Sequence, residues 1–107
     1  MSAVRLKGHL DMMLLQILGG GEMHGYRVVC ELRDRSGGAF DLPEGTVYPA
    51  LHRLEKRGLL NSAWDTTGPR RRRVYRLSAS GSRALAAERR EWIRFVDAVG
   101  SVMAVTA

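Results

Sequence analysis

Glu44-Gly-Thr-Val-Tyr-Pro-Ala-Leu-His-Arg-Leu-Glu-Lys-Arg-Gly-Leu-Leu60, followed shortly by Gly68-Pro-Arg-Arg-Arg-Arg-Val-Tyr-Arg-Leu77, decides the fold of this chain. In the first stretch Val47, Leu51 and Leu54 fall at i, i+4 and i+7, so they share one helix face and must turn inward. Thr46, Tyr48, Pro49, His52, Arg53 and Lys56 are left on or near the outer side, and Gly58 ends the helix. Leu59 to Asp65 reads as a strand, Thr66-Thr67-Gly68-Pro69 as a turn, and Arg72 to Leu77 as the returning strand. The leading edge of that return carries Arg70, Arg71, Arg72 and Arg73 without an intervening acid. A helix followed by a basic hairpin is the arrangement of a winged helix-turn-helix, with one element suited to a DNA major groove and the other to phosphates.

Pro49 constrains where that helix begins. It has no N–H for the carbonyl four residues back, and it disfavours helical dihedrals at Tyr48. A start with Thr46 as N-cap and Pro49 in the first turn is expected; an earlier start with a bend is the alternative.

Upstream, Leu6, Leu10, Met13, Leu14, Ile17 and Leu18 predict a first helix over about residues 7–18, stopped by Gly19-Gly20-Gly21. Glu22-Met23-His24-Gly25 reads as a turn. A second helix is expected to carry Tyr26, Val29 and Leu32 toward the core and Arg27, Glu31 and Arg33 outward, until Ser36-Gly37-Gly38 ends it. In the hairpin, alternation puts Leu60 and Trp64 on one face and turns Tyr75 and Leu77 inward, with Arg73 beyond the edge of the core. The expected fold class is mainly α with a small two-stranded β-hairpin. A winged helix-turn-helix over 1–77 would precede a long C-terminal helix over 78–107.

Ser78 is placed to cap that last helix. Within it Leu85, Trp92, Val96, Val99 and Met103 step at heptad spacing, interrupted at Arg89 and weakened by Gly100. A helix of more than about 20 residues extends over ~30 Å, more than so small a domain can cover. Its outer half calls for a partner, and the simplest is a second copy of the same chain.

Composition agrees with this reading. The 107 residues carry 17 Lys and Arg against 11 Asp and Glu, a formal charge of +6, which favours a polyanionic partner. A single cysteine, Cys30, excludes an internal disulfide and fits a reducing compartment. The first residues lack the apolar run of a signal peptide, and no stretch approaches the ~20 apolar residues of a membrane span. A soluble, cytoplasmic protein is expected, with no membrane partner.

Other residues offer less chemistry. His24 has no second ligand at helical spacing, so a turn role outweighs metal binding with His9 or Glu22, and no metal or cofactor is expected. The three histidines fall on separate elements, and Gly19-Gly20-Gly21 follows a helix rather than a strand. The residues therefore assemble no enzyme site. Clustered like charges repel, so four adjacent arginines favour phosphate contact over a merely solvated tip. Arg53 could grip guanine with two hydrogen bonds, whereas Tyr48 suits a phosphate.

The residues that decide the fold also carry a family likeness. Met23-His-Gly-Tyr26, Gly45-Thr-Val-Tyr-Pro-Ala-Leu51, Arg53-Leu54-Glu55, Gly58-Leu59, Trp64, the arginines before Tyr75-Arg-Leu77, and Gly81 resemble the PadR family of bacterial transcriptional regulators. Lys7-Gly8 fits as well, and the likeness covers about residues 5–95. Pro43, where a capping Ser or Asn is expected, and Ala79, where an acid is frequent, depart from the pattern. The resemblance implies a homodimeric repressor. Thr46, Tyr48, Pro49, His52 and Arg53 would face DNA from the third helix, where Lys56 shares their outer side, and Arg70 to Arg73 from the wing. It further implies a dimer interface of Leu10, Leu14, Leu85, Trp92, Val96, Val99 and Met103, and a small aromatic effector stacked on Trp92.

The leading expectation is a sequence-specific DNA-binding regulator that reads an inverted repeat as a homodimer. The alternative is a winged-helix module that binds another protein without specific DNA contact.

Overall fold

The computed structural model describes residues 9–104. The expected helix start at residue 7, with Leu6 and Lys7-Gly8, lies outside the described residues, as do residues 105–107. Among the described residues there are four helices: α1 (Leu10–Leu18), α2 (Gly25–Arg35), α3 (Glu44–Lys56) and α4 (Ala79–Met103). Three strands, β1 (Met23–His24), β2 (Leu60–Asp65) and β3 (Arg72–Leu77), form an antiparallel sheet in the order β1-β3-β2.

The apolar stripes of α1, α2 and α3 meet in one core. Leu14, Val28, Val47, Leu51 and Leu54 have no exposed surface, and Leu60 and Tyr75 close the core from the sheet. Each such side chain contributes about 1.5–3 kcal/mol by leaving water. α2 ends where expected, with Gly37 and Gly38 at φ +62° and +90°, a conformation that glycine adopts without strain.

Four expectations need correction. The sheet has three strands rather than two, because Met23 pairs with Tyr75 and His24 with Val74 where a turn was expected. Two residues are too few to display alternation, so only β3 as a partner reveals the strand. Tyr26 points away from the core and is 58% exposed. The buried face is centred on Gly25, Val28, Val29 and Leu32, and the 100° step leaves Tyr26 well to one side of that centre.

The third correction concerns Pro49. α3 begins at Glu44, with Pro43 rather than Thr46 at its N-cap, so Pro49 stands inside the helix. The Pro43 carbonyl accepts from the N–H groups of Thr46 and Val47 and nucleates the helix two residues before Thr46. Gly45, whose carbonyl loses its partner at Pro49, is exposed, so water can take that place. Finally, Leu10 and Leu14 are taken up by the protomer's own core, 7% and 0% exposed, and leave little or no surface for a second copy. Helices packed on α1 from the same chain have already covered them.

α4 is anchored at one end only. Ser78 Oγ accepts from Gly81 N–H at 3.0 Å and donates to the Gly58 carbonyl at 2.6 Å. Gly81 sits so close to Leu59 that any Cβ would overlap the Leu59 carbonyl oxygen. From there the 25-residue helix runs past α1, in a molecule 52 Å along its longest axis. Among the described residues no helix is long and apolar enough to cross a membrane.

Candidate nucleic-acid interface

The outer side of α3 follows from its inner one. With Val47, Ala50, Leu51 and Leu54 buried, the 100° step puts Pro49, His52 and Lys56 along the crest. Tyr48 and Glu55 flank the crest on the wing side, and Thr46, Arg53 and Arg57 flank it on the α1 side. Thr46, Pro49, His52, Arg53 and Lys56 are all exposed, and Tyr48 is half-buried.

The wing closes against this crest. β2 and β3 pair in register from Leu60 with Leu77 to Asp65 with Arg72, which leaves Arg70 and Arg71 at the tip. Arg73 leans back toward α3. Its Nε donates to Ser62 Oγ at 2.8 Å and its Nη2 lies 3.7 Å from Glu55 Oε2, while Ser62 Oγ donates to the same carboxylate. Arg71 and Arg73 both stack on Trp64, with guanidinium carbons 4.4 and 5.1 Å from the ring centre. Trp64 shares its strand face with Leu60, as expected, but lies beyond the core and is 51% exposed.

Between crest and wing is a concavity of about 410 Å³, lined by Tyr48, His52, Trp64 and all four wing arginines, with His24 and Tyr26 at the α2 end. Gly25 allows the ring of Tyr48 to pack there, since a Cβ would meet Tyr48 Cε1 at 3.1 Å. The Tyr48 hydroxyl donates to Glu44 Oε1 at 3.3 Å; partial burial, then the Glu44 charge, pushes this phenol above its ordinary pKa. Burial likewise raises Tyr75, so both phenols stay neutral donors at physiological pH. The wing root is tied to β1, since His24 Nε2 lies 2.9 Å from Asp65 Oδ2. Thr67, through its hydroxyl and backbone N–H, and then His24 hold the Asp65 carboxyl well below the ordinary carboxylate range.

A second concavity, of about 310 Å³, lies on the far side of the domain between α1, α2 and α4. Met12, Met13, Ile17, Leu32, Phe40 and Trp92 make it apolar, and Arg35 and Arg89 supply charge at its margin. Arg89, which breaks the heptad stripe, donates to Gln16 Oε1 at 2.8 Å. Trp92 stacks with Phe95 at 5.9 Å and meets His9 edge-on at 5.2 Å. Beyond it Phe95, Val96, Val99 and Met103 are 43–66% exposed, whereas Leu85 packs against the core of its own chain. Among the described residues no three His, Cys, Asp or Glu side chains gather as a metal centre would need.

Comparison with known proteins adds to this geometry. Residues 14–87 match the transcriptional regulator PadR-like family. The chain belongs to that family. Over 77 residues this PadR-like chain is 42% identical to the transcriptional regulator Rv3488 of Mycobacterium tuberculosis, covering 72% of this chain and 69% of that protein. It is similar to the PadR family transcriptional regulator of Eggerthella lenta, with 33% identity and a TM-score of 0.79 over 94% of this chain and 86% of that one. The Bacillus subtilis PadR in complex with operator DNA shares the fold, at 24% identity and a TM-score of 0.66 over 78% of this chain and 46% of that one.

Several residues of the PadR-like surface escape a reading of sequence alone. Tyr26 is hidden by its resemblance to a core residue, and Trp64 because sharing a strand face with Leu60 does not reveal that it lies beyond the core, under the wing arginines. Asp11, which binds Arg53 and Arg57, is separated from Arg53 by 42 positions, and no local pattern marks it.

Proposed function

We propose that the protein is a homodimeric transcriptional regulator that binds an inverted-repeat DNA site through α3 and the arginine wing. The observation that carries this reading is the shared concave face of the α3 crest and Arg70 to Arg73, where cations and neutral hydrogen-bond donors line one surface. His52, Arg53 and Lys56, with Thr46 and Pro49, would enter the major groove. Tyr48 and the wing would take phosphates. The Bacillus subtilis PadR, a protein of the same fold, forms a complex with operator DNA, which supports DNA binding as the function.

The exposed apolar stripe of α4 supports a dimer. Trp92, Phe95, Val96, Val99 and Met103 leave a helix face in water that a second copy would cover. Two α3 helices related by a two-fold axis would then enter major grooves about 34–36 Å apart. Repression, and its relief by a small aromatic effector in the Trp92 concavity, complete the reading. Such an effector acts only by favouring one dimer geometry over another.

Selection of duplexes from a random pool, followed by fluorescence anisotropy at several salt concentrations, tests it. An inverted repeat bound with a steep salt dependence is expected, together with a dimer in sedimentation that Val96→Glu converts to monomer. Equal affinity for the selected and random duplexes, or a flat salt response, would reject it. Arg71→Ala combined with Arg72→Ala should weaken duplex binding without disturbing the dimer.

A further inference from the structure

Asp11 is the one carboxylate that reaches across from α1 to the DNA-facing side of α3. Its Oδ1 accepts from Arg53 Nη2 at 2.7 Å, and its Oδ2 lies 3.5 Å from Arg57 Nη1. Both arginine side chains are more than half exposed, at 53% and 58%, and Asp11 is 32% exposed. The surface is otherwise cationic there, with Lys56 on the adjacent crest.

A negative charge at such a place opposes any phosphate that approaches, so non-specific attraction is weakened where it would otherwise be strongest. An arginine side chain without a partner can reach whatever anion lies nearest. Arg53, held through Nη2, is restrained in where its guanidinium can reach and retains further N–H donors for another acceptor. The short charge-assisted bond supplies that restraint.

We infer that Asp11 is a specificity-determining positioning residue: it holds Arg53 as a reader of one base edge and withholds Arg53 and Arg57 from the DNA backbone. This rests on the DNA-binding reading above. Asp11→Asn keeps the side chain's shape and removes its charge. The freed arginines should each gain about one phosphate, steepening the salt slope for random duplex by about 0.9 per contact. Counterion release alone then strengthens random-duplex binding roughly eightfold per contact at ~0.1 M salt. Affinity for the selected inverted repeat should rise less or fall, so the ratio of the two drops.

The test measures wild type, Asp11→Asn and Asp11→Ser, a second variant suited to a helix start, against selected and random duplexes across a salt series. The same substitutions are repeated in an Arg53→Gln, Arg57→Gln background. There the steepened slope and the drop in ratio should be lost, leaving only the smaller, sequence-independent gain from removing one negative charge, a pattern that a purely structural role for Asp11 would not produce. An unchanged ratio and slope in both Asp11 variants overturns the inference while leaving DNA binding intact. A wild type that binds neither duplex overturns the DNA-binding reading, and the role of Asp11 with it.

Discussion

The guanidinium carbon of Arg71 lies 4.4 Å from the centre of the Trp64 ring, with Arg73 at 5.1 Å from the same ring. The indole sits between the root and the tip of the wing. It gives two of four clustered like charges an attractive surface on which to rest. Trp64 is half in solvent, so its contribution to the core is small. Trp64→Ala should therefore leave thermal stability nearly unchanged while loosening the wing. Cation–π contacts at exposed sites are worth about 0.5–1 kcal/mol each, so duplex affinity should fall roughly fivefold, and Trp64→Phe should restore part of it. Anisotropy titration alongside a thermal melt separates the two effects.

Pro49 stands within α3, where it removes one backbone hydrogen bond. A proline in a helix interior costs about 3 kcal/mol relative to alanine, and Pro49 is exposed, so little packing offsets that cost. Pro49→Ala should raise the unfolding free energy by about 1–3 kcal/mol. Urea denaturation measures it, and an unchanged midpoint would show that the surrounding packing already compensates for the missing bond.

At Gly81 the requirement is space. α4 starts so close to the α3–β2 junction that a methyl group would overlap the Leu59 carbonyl oxygen, and a backbone atom cannot swing aside. Gly81→Ala, normally favourable in a helix, should here destabilise the protein by roughly 2–3 kcal/mol. Calorimetry on this variant beside Gly100→Ala, where a Cβ meets nothing within 4 Å, isolates the clash from helix propensity.

Acid should loosen the wing root. The Asp65 carboxyl, held by Thr67 and then by His24, is more acidic in the folded protein than its ordinary value of 3.8. A group whose folded pKa is depressed contributes stability above its unfolded pKa and loses it as pH falls through the folded value. Between about pH 5 and pH 2, the urea midpoint of the wild type should fall more steeply than that of Asp65→Asn. Parallel curves for the two proteins would assign acid sensitivity elsewhere.

The apolar stripes of α3 and α4, the glycine stops, the Ser78 cap and the arginine-bearing hairpin were all legible in sequence. Each is a statement about neighbours within a few positions, and helical and strand periodicity record such neighbours directly. The third strand was not legible, because two residues carry no period and their partner lies about 50 positions away. Nor was the direction of Tyr26, since it lies at the margin of the apolar stripe and only packing decides where that stripe is centred. Periodicity said that Leu10 and Leu14 are buried, but not by what.

Sequence by itself thus determined which segments are helical, which faces are apolar, where the positive charge concentrates and which family the chain resembles. Tertiary packing alone decided which apolar faces are satisfied within one chain and which remain open. It also decided which arginines are already paired, as Arg53 is with Asp11 and Arg73 with Glu55. The reason is physical: an ion pair or a strand pairing between distant positions depends on where the core brings the backbone, and no local pattern encodes that distance.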